Sequence, residues 1–228
     1  MLAVTSSPSS GPSLARAGID VGRLAFVPVG CGLLVASVVR ATHTDAASLR
    51  TTTGLLQFVA QVLIIAFYVL MIVLFMTRHR ATATTKSRLV RTAAVAATWL
   101  PLSIPLLGAR SSHVPMLVVA DGLIVVGLTW SVWSLRTLGR SFSIVPQARQ
   151  IVTAGPYRLV RHPLYIGELA IVLGVAMGSP SVWTACAWVA LVLLQGFRAL
   201  HEERVLVAML DEYPAYQAKT ARLLPGFF

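Results

Sequence analysis

Twenty-two consecutive residues without a charge run from Leu55 to Met76: LLQFVAQVLIIAFYVLMIVLFM. A helix needs about 20 consecutive, mostly apolar residues to cross the hydrocarbon core of a bilayer. Shorter apolar runs lie on both sides of this one, and they are separated by segments that contain most of the basic residues. The run from Leu55 to Met76 therefore predicts a transmembrane helix in a chain with several membrane spans.

The composition of the whole chain agrees with a membrane protein. Of the 228 residues, 56% are hydrophobic and only 12% are charged, and the mean hydropathy is +0.76. Soluble domains contain about 25% charged residues, so this chain has too few charges to coat a water-facing globule. The composition disfavours a soluble enzyme and a disordered chain. The two cysteines, Cys31 and Cys186, lie inside apolar runs and do not suggest a disulfide scaffold.

The net charge of +11 raises the question of a nucleic-acid partner. Basic patches of nucleic-acid-binding proteins lie on otherwise polar domains. Here the basic residues fall mostly between long apolar runs, which is typical of the cytoplasmic loops of membrane proteins. We therefore expect no nucleic-acid partner.

The apolar runs predict an all-α, polytopic membrane bundle of five to six transmembrane helices. Two prolines, Pro101 and Pro105, predict a kinked or short third span. Ser179 and Pro180 separate the fifth span from the sixth, so these two should form a tight helical hairpin. The predicted spans cover residues 24–39, 55–76, 92–108, 115–135, 164–178 and 181–197.

The basic residues predict the orientation of the chain. With six spans and a cytoplasmic N-terminus, sixteen of the nineteen Arg and Lys residues fall on the cytoplasmic side. Both termini and the polar C-terminal region are therefore expected at the cytoplasmic face of a cell membrane. The predicted organisation is a disordered leader (residues 1–18), transmembrane helices 1–4 (residues 19–135) and a catalytic region with a helical hairpin and a cytoplasmic C-terminal helix (residues 136–228).

A first cluster of polar and aromatic residues is the stretch GPYRLVRHPLYIGE, residues 155–168. His162 precedes a proline, which favours extended backbone, and Pro163 fits the first position of a helix. A helix start offers free N–H groups to an anion. On this helix Tyr165 and Glu168 share a face with Arg161. The alternative is an interfacial anchor, since Arg and Tyr are common at headgroup level.

A second cluster directly follows the sixth span. Arg198 and Glu202 are four residues apart, within reach of a helical ion pair, and Glu203 is adjacent to Glu202. The alternative is a solvated helix face with ordinary ion pairs. Arg198 and Glu203 are the stronger candidates for a site because they are closest to the membrane surface. His162 and His201 have no cysteine nearby, so we expect no metal site.

Together these motifs resemble the isoprenylcysteine carboxyl methyltransferase family, which is related to the membrane phospholipid methyltransferases. The shared pattern is Gly-Pro-Tyr-x-x-x-Arg-His-Pro-x-Tyr-x-Gly, followed by Arg-x-x-x-Glu-Glu and by a tail with Glu-Tyr-x-x-Tyr and Arg-Leu-Leu-Pro. The resemblance covers about residues 136–228. It implies a methyltransferase that uses S-adenosylmethionine on the cytoplasmic side and a lipophilic, isoprenoid or lipid-like substrate with a carboxylate, thiol or amine.

The resemblance also implies roles for individual residues. Arg198 and Glu203 match the residues that act at the reaction centre. The residues that match the cofactor site are Tyr157, His162, Pro163, Tyr165, Glu202, Leu224 and Pro225.

One position departs from the family. Glu168 follows Gly167 where the prenylcysteine enzymes often have an apolar or aromatic residue. A related group that resembles the sterol reductases also has an Arg-His-Pro-x-Tyr motif and often a nearby Glu, and it uses NADPH. A membrane reductase of that type is therefore the alternative function.

Overall fold

The computed structural model describes residues 21–43, 45–77, 83–84, 92–93, 96, 100, 109–139, 147–148 and 151–224. The predicted leader and most of the predicted third span lie outside these ranges. The described part of the chain is mostly helical, and it contains one short antiparallel pairing of β1 (Ala83–Thr84) with β2 (Gln147–Ala148). The helices are α1 (Val21–Thr42), α2 (Thr52–Thr77), α3 (Val114–Leu138), α4 (Pro163–Gly178), α5 (Val182–Met209) and α6 (Tyr213–Gln217).

Three of these helices are long and apolar enough to cross a membrane: Thr52–Thr77, Val114–Leu138 and Val182–Ala208. Val27–Thr42 and Pro163–Gly178 are shorter apolar helices. Many large apolar side chains on these helices face outward, for example Trp183 and Leu193, which are 70% and 69% exposed. Such surfaces are unfavourable in water and favourable against lipid, so the prediction of a membrane protein is confirmed.

Helix α5 is longer than the apolar run that predicts it. The run ends at Phe197, whereas the helix continues to Met209 and includes Arg198, Glu202 and Glu203. Ala, Leu, Arg and Glu are strong helix formers, so the helix persists where the hydropathy falls. The chain turns at Leu210, and Pro214 lies in the first turn of α6 instead of ending the previous helix.

Helices α3 and α4 pack closely because small residues line their contact. A Cβ atom added at Gly127 would lie 2.8 Å from the carbonyl oxygen of Gly167, and one at Gly174 would lie 2.6 Å from that of Ala120. Both distances are shorter than real Cβ contacts. Small residues allow this close backbone approach between membrane helices. The pair therefore forms a closely packed base for the residues at the start of α4.

The turn between α4 and α5 is tight, as the Ser-Pro break predicts. Ser181 caps α5 in a reciprocal capping box, in which its Oγ accepts from the backbone N–H of Thr184 and its own N–H donates to Thr184 Oγ1. Val172 of α4 and Leu191 of α5 meet in the core. Because the turn joins these helices at one end, the start of α4 and the last part of α5 lie together at the other end.

Asp121 of α3 belongs to a polar cluster near the α4–α5 turn. Its carboxylate accepts from Arg110 Nη2 at 2.9 and 3.0 Å and from Gln57 Nε2 of α2 at 3.1 Å. Ser111, next to Arg110, donates its N–H to the carbonyl of Gly178 at 2.8 Å. A buried acid in a membrane span needs such partners, and here they make Asp121 a structural link between helices.

Candidate active site

Three segments meet at the open end of the α4–α5 hairpin: the start of α4, the last part of α5 and the chain after α6. Val160 forms a parallel bridge with Ala221. The N–H of Arg161 donates to the carbonyl of Ala221 at 2.8 Å, and the N–H of His162 donates to that of Arg222 at 3.1 Å. The C-terminal segment is therefore held against the motif that begins α4.

The approach to α4 follows the local rules of the sequence. Gly155 has a φ of +51°, in the left-handed region that favours glycine, and it opens a 3-10 turn, Gly155–Arg158. His162 is non-helical, with φ −123° and ψ 58°, and Pro163 is the first residue of α4. Trp130 of α3 donates from Nε1 to the carbonyl of Pro163 at 2.9 Å, which fixes where α4 begins.

Tyr157 lies buried in the 3-10 turn, and Tyr216 of α6 holds this turn in place. The hydroxyl of Tyr216 donates to the carbonyl of Tyr157 at 2.7 Å. Burial raises the pKa of Tyr216 to about 12 and also raises the pKa of Tyr157 above its ordinary value. Both phenols therefore stay protonated at neutral pH, and Tyr216 remains a hydrogen-bond donor.

Glu203 is the centre of a buried ion-pair cluster. Its Oε1 accepts from Arg161 Nε at 2.8 Å and lies 3.2 Å from His162 Nε2. Its Oε2 accepts from Arg222 at 2.9 and 3.1 Å and from Gln217 Nε2 at 3.2 Å. Glu203 is only 3% exposed. A buried carboxylate is tolerated when it is this fully paired.

Tyr165 connects the two motifs a second time. Its hydroxyl donates to Glu202 Oε2 at 2.6 Å, and its ring stacks on His162 with centroids 5.1 Å apart. The guanidinium of Arg198 lies over the Tyr165 ring, 4.8 Å from the ring centroid. This is the geometry of a cation–π interaction. Tyr165 is therefore in contact with both α5 candidates, Glu202 and Arg198.

A third group of polar residues lies closer to the α4–α5 turn. It includes Glu168, one helical turn after Tyr165, and Gln195, one helical turn before Arg198. Arg198 donates from Nη1 to Gln195 Oε1 at 3.2 Å, and Gln195 donates from Nε2 to Glu168 Oε2. Gln195 and Arg198 are buried and Glu168 is partly buried. We call Glu168, Gln195 and Arg198 the Arg198 group. It lies between two otherwise apolar helices, toward the apolar middle of the hairpin.

The structure brings most of the sequence-predicted site residues together. Tyr157, His162, Pro163, Tyr165, Arg198, Glu202 and Glu203 all lie at this end of the hairpin. Leu224 is 58% exposed, and Pro225 lies outside the described residues. Glu203 bonds to Arg161, His162, Gln217 and Arg222. The roles assigned to these residues stay predictions.

Gln195 and Gln217 are site residues that the sequence motifs did not predict. Gln195 lies three residues before Arg198, so helical spacing could have found it. Gln217 is separated from Glu203 by a turn, and no local pattern predicts that contact. Among the described residues, no group of three or more His, Cys, Asp or Glu side chains could hold a metal ion.

The side chains present fit S-adenosylmethionine as a ligand. Glu202 is a half-buried carboxylate that can accept hydrogen bonds from sugar hydroxyls. His162 and the Arg198 guanidinium already pack on the ring of Tyr165, and the hydroxyl of Tyr165 orients this carboxylate. A half-buried acid, a buried aromatic pair and an apolar helix interface therefore meet at one place.

Comparison with known proteins agrees with the motifs. Residues 115–212 match the family model for phospholipid methyltransferases, which belong to the isoprenylcysteine carboxyl methyltransferase-like group. A cobalt-zinc-cadmium resistance protein, CzcN, of Cupriavidus metallidurans is 35% identical over 100 residues, which are 42% of this chain and 44% of that protein. The chain thus matches less than half of the length of this curated relative. The resemblance predicted from the motifs is confirmed for residues 115–212, which contain α4, α5 and all but the first residue of α3.

Proposed function

We propose that this protein is an integral membrane methyltransferase that uses S-adenosylmethionine to methylate a lipophilic acceptor. One observation carries the proposal: α4 and α5 are joined twice at the same end, by Tyr165 with Glu202 and by His162 with Glu203. Both motifs lie within the part of the chain that matches the phospholipid methyltransferase family. An interfacial anchor would not require these specific contacts between two helices.

In this proposal, the cofactor-binding residues are Tyr157, His162, Pro163, Tyr165, Glu202, Leu224 and Pro225. Bound S-adenosylmethionine supplies an activated methyl group. Glu202 binds hydroxyl groups, and the hydroxyl of Tyr165 orients Glu202. The Glu203 cluster holds α5, the start of α4 and the C-terminal segment in one arrangement, so Glu203 positions the site instead of reacting.

Arg198 contributes alignment of the acceptor in this mechanism. It is buried beside Tyr165, on the side of the site that faces the apolar interior of the helix pair. Orientation of two reactants lowers the barrier of a bimolecular step by about 7–11 kcal/mol. An acceptor with an apolar chain can lie between the helices while the polar cofactor enters from the water side.

Methyl transfer by isolated membranes tests the proposal. Membranes that contain the protein should transfer a radiolabelled methyl group from S-adenosylmethionine to a product that extracts into organic solvent. Membranes that lack the protein are the control. Equal amounts of label in the two organic extracts would contradict the proposed function, provided that the protein is detected in the first membranes.

A further inference from the structure

We propose that Glu168 is the general base of the reaction and that the acceptor is a lipophilic molecule with a neutral, ionisable S–H or O–H group. This inference rests on the proposed function, because it assigns the acceptor of the same site. The evidence is the Arg198 group, in which Gln195 connects the carboxylate of Glu168 to the guanidinium of Arg198.

The hydrogen bonds of three carboxylates distinguish Glu168 from its neighbours. Glu203 accepts five hydrogen bonds from four side chains, so it has no capacity left for a substrate. Glu202 accepts the hydroxyl of Tyr165. Within the described part of the chain, Glu168 accepts from Gln195 alone, on Oε2. Its other oxygen therefore retains acceptor capacity for a proton-bearing ligand.

The position of Glu168 agrees with a role at the acceptor. Glu168 lies one helical turn beyond Tyr165 on α4, and Gln195 lies one turn before Arg198 on α5. The Arg198 group therefore continues the site from the cofactor residues toward the apolar middle of the hairpin. A lipophilic acceptor reaches this part of the site from the lipid side, while Tyr165 separates it from the outer residues.

The charges of this group select the chemical class of the acceptor. Glu168 and Arg198 form a neutral pair across the Gln195 amide. Because the charges of this pair cancel, the cationic sulfonium of the cofactor disfavours an acceptor that enters as an ammonium ion. An acceptor that enters as a carboxylate is already deprotonated and needs no base. A neutral thiol or acidic hydroxyl needs a base and can donate a hydrogen bond to Glu168.

The transfer balances with this assignment. The acceptor's S–H or O–H proton goes to Glu168, and the resulting lone pair on that sulfur or oxygen forms the bond to the methyl carbon. The bond between the methyl carbon and the sulfonium breaks, and its electron pair goes to the cofactor sulfur. Arg198 stabilises the negative charge that develops on the acceptor atom before the methyl group arrives. Glu168 later releases its proton to water.

The experiment uses the purified full chain in detergent, with four probes that share a twelve-carbon chain. Calorimetry with S-adenosylhomocysteine first measures cofactor binding. Methyl transfer is then measured to dodecanethiol, 4-dodecylphenol, dodecanoate and dodecylamine. We expect transfer to the thiol and the phenol to exceed transfer to the carboxylate and the amine by at least about tenfold, the effect of roughly one charge contact.

The variant Glu168→Gln tests whether Glu168 acts as the general base. It should bind S-adenosylhomocysteine like the wild type but transfer methyl to dodecanethiol about a hundredfold more slowly or worse at neutral pH, since general bases contribute about 10²–10⁴-fold. The deficit should shrink as the pH approaches the pKa of the thiol, because the thiol then ionises without a base. Glu212→Gln, at an exposed acid of the same type, is the matched control and should change neither property.

Several outcomes would overturn the assignment. A Glu168→Gln protein with the rate and the pH profile of the wild type would show that Glu168 is not the base. Preferred transfer to dodecanoate or dodecylamine, or cofactor binding without transfer to the thiol or the phenol, would overturn the acceptor class and leave the proposed function standing. A wild-type protein that binds no S-adenosylhomocysteine would refute the proposed function and this inference together.

Discussion

At the scale of single residues, we propose different functions for two neighbouring clusters: one supports cofactor binding and the other aligns the acceptor. His162 contacts both Glu203 and the ring of Tyr165, so it supports the residues proposed to bind the cofactor. Arg198 contacts Tyr165 and Gln195, so it lies on the side of the site where we propose that the acceptor binds. The two residues should therefore affect different kinetic steps.

Replacement of each residue tests this division. His162→Ala should weaken the binding of S-adenosylhomocysteine, whereas Arg198→Ala should spare binding and reduce turnover. Loss of one charge-assisted contact costs about 1.5–3 kcal/mol, a tenfold to hundredfold effect on rate. Calorimetry and initial rates measure the two effects on protein with unchanged elution in detergent. Equal cofactor affinity in wild type and His162→Ala, or full activity in Arg198→Ala, would show that these roles are assigned wrongly.

The Glu203 cluster makes a separate prediction about stability. Glu203→Gln should lower the free energy of unfolding by about 3–5 kcal/mol, because it leaves Arg161, which is buried, and Arg222 without their shared counter-charge. Thermal unfolding in detergent measures the loss, and Glu212→Gln is the control at an exposed position. An unchanged unfolding temperature in Glu203→Gln would contradict the structural role.

At the scale of helices, the contact between α3 and α4 depends on glycines, which have no side chain to hold the two backbones apart. Gly127 faces backbone atoms of α4, whereas a Cβ at Gly122 of the same helix would meet nothing within 4 Å. Gly127→Ala should therefore destabilise the protein by about 1–3 kcal/mol through overpacking. Gly122→Ala should leave stability unchanged or raise it slightly, since Ala favours helix. Thermal unfolding of the two variants measures the difference, and equal stability would show that the helices can move apart without cost.

The boundaries of the helices were largely predictable from sequence because local rules set them. Pro163 begins α4, and the Ser179–Pro180 break precedes the capping box of α5. The end of α5 was not predictable from hydropathy, because its last turns exchange apolar residues for Arg and Glu without losing helix propensity. The partners of Glu203 were not predictable either. Arg222 follows it by nineteen residues, after a turn and another helix, and local spacing carries no information on such a contact.

At the scale of the whole molecule, the hairpin separates two polar regions. Arg110 and Ser111 lie by the α4–α5 turn, as the bond from Ser111 to Gly178 shows, whereas residues 213–224 lie at the site end. The structure places these regions at opposite ends of α4 and α5. The distribution of basic residues is our reason to propose that the site end, with both termini, is cytoplasmic.

Reporter fusions test this orientation. A reporter fused after Phe228 should be cytoplasmic, and one fused after Arg110 should be on the other side of the membrane. Each fusion is made twice, once with an enzyme that is active only outside the cytoplasm and once with a fluorescent protein that is active only inside it. The two signals are then compared. A C-terminal fusion that reports the outer side would overturn the orientation and would place the site away from cytoplasmic S-adenosylmethionine.

The central claim is that the joined ends of α4 and α5 form a site for S-adenosylmethionine. Isothermal titration calorimetry of the detergent-solubilised protein with S-adenosylhomocysteine and, separately, with NADPH tests it most directly. The proposed function predicts saturable binding of S-adenosylhomocysteine, weakened in His162→Ala, and no binding of NADPH. Binding of NADPH without binding of S-adenosylhomocysteine would contradict the claim and favour a membrane reductase, and binding of neither would indicate a non-catalytic membrane scaffold.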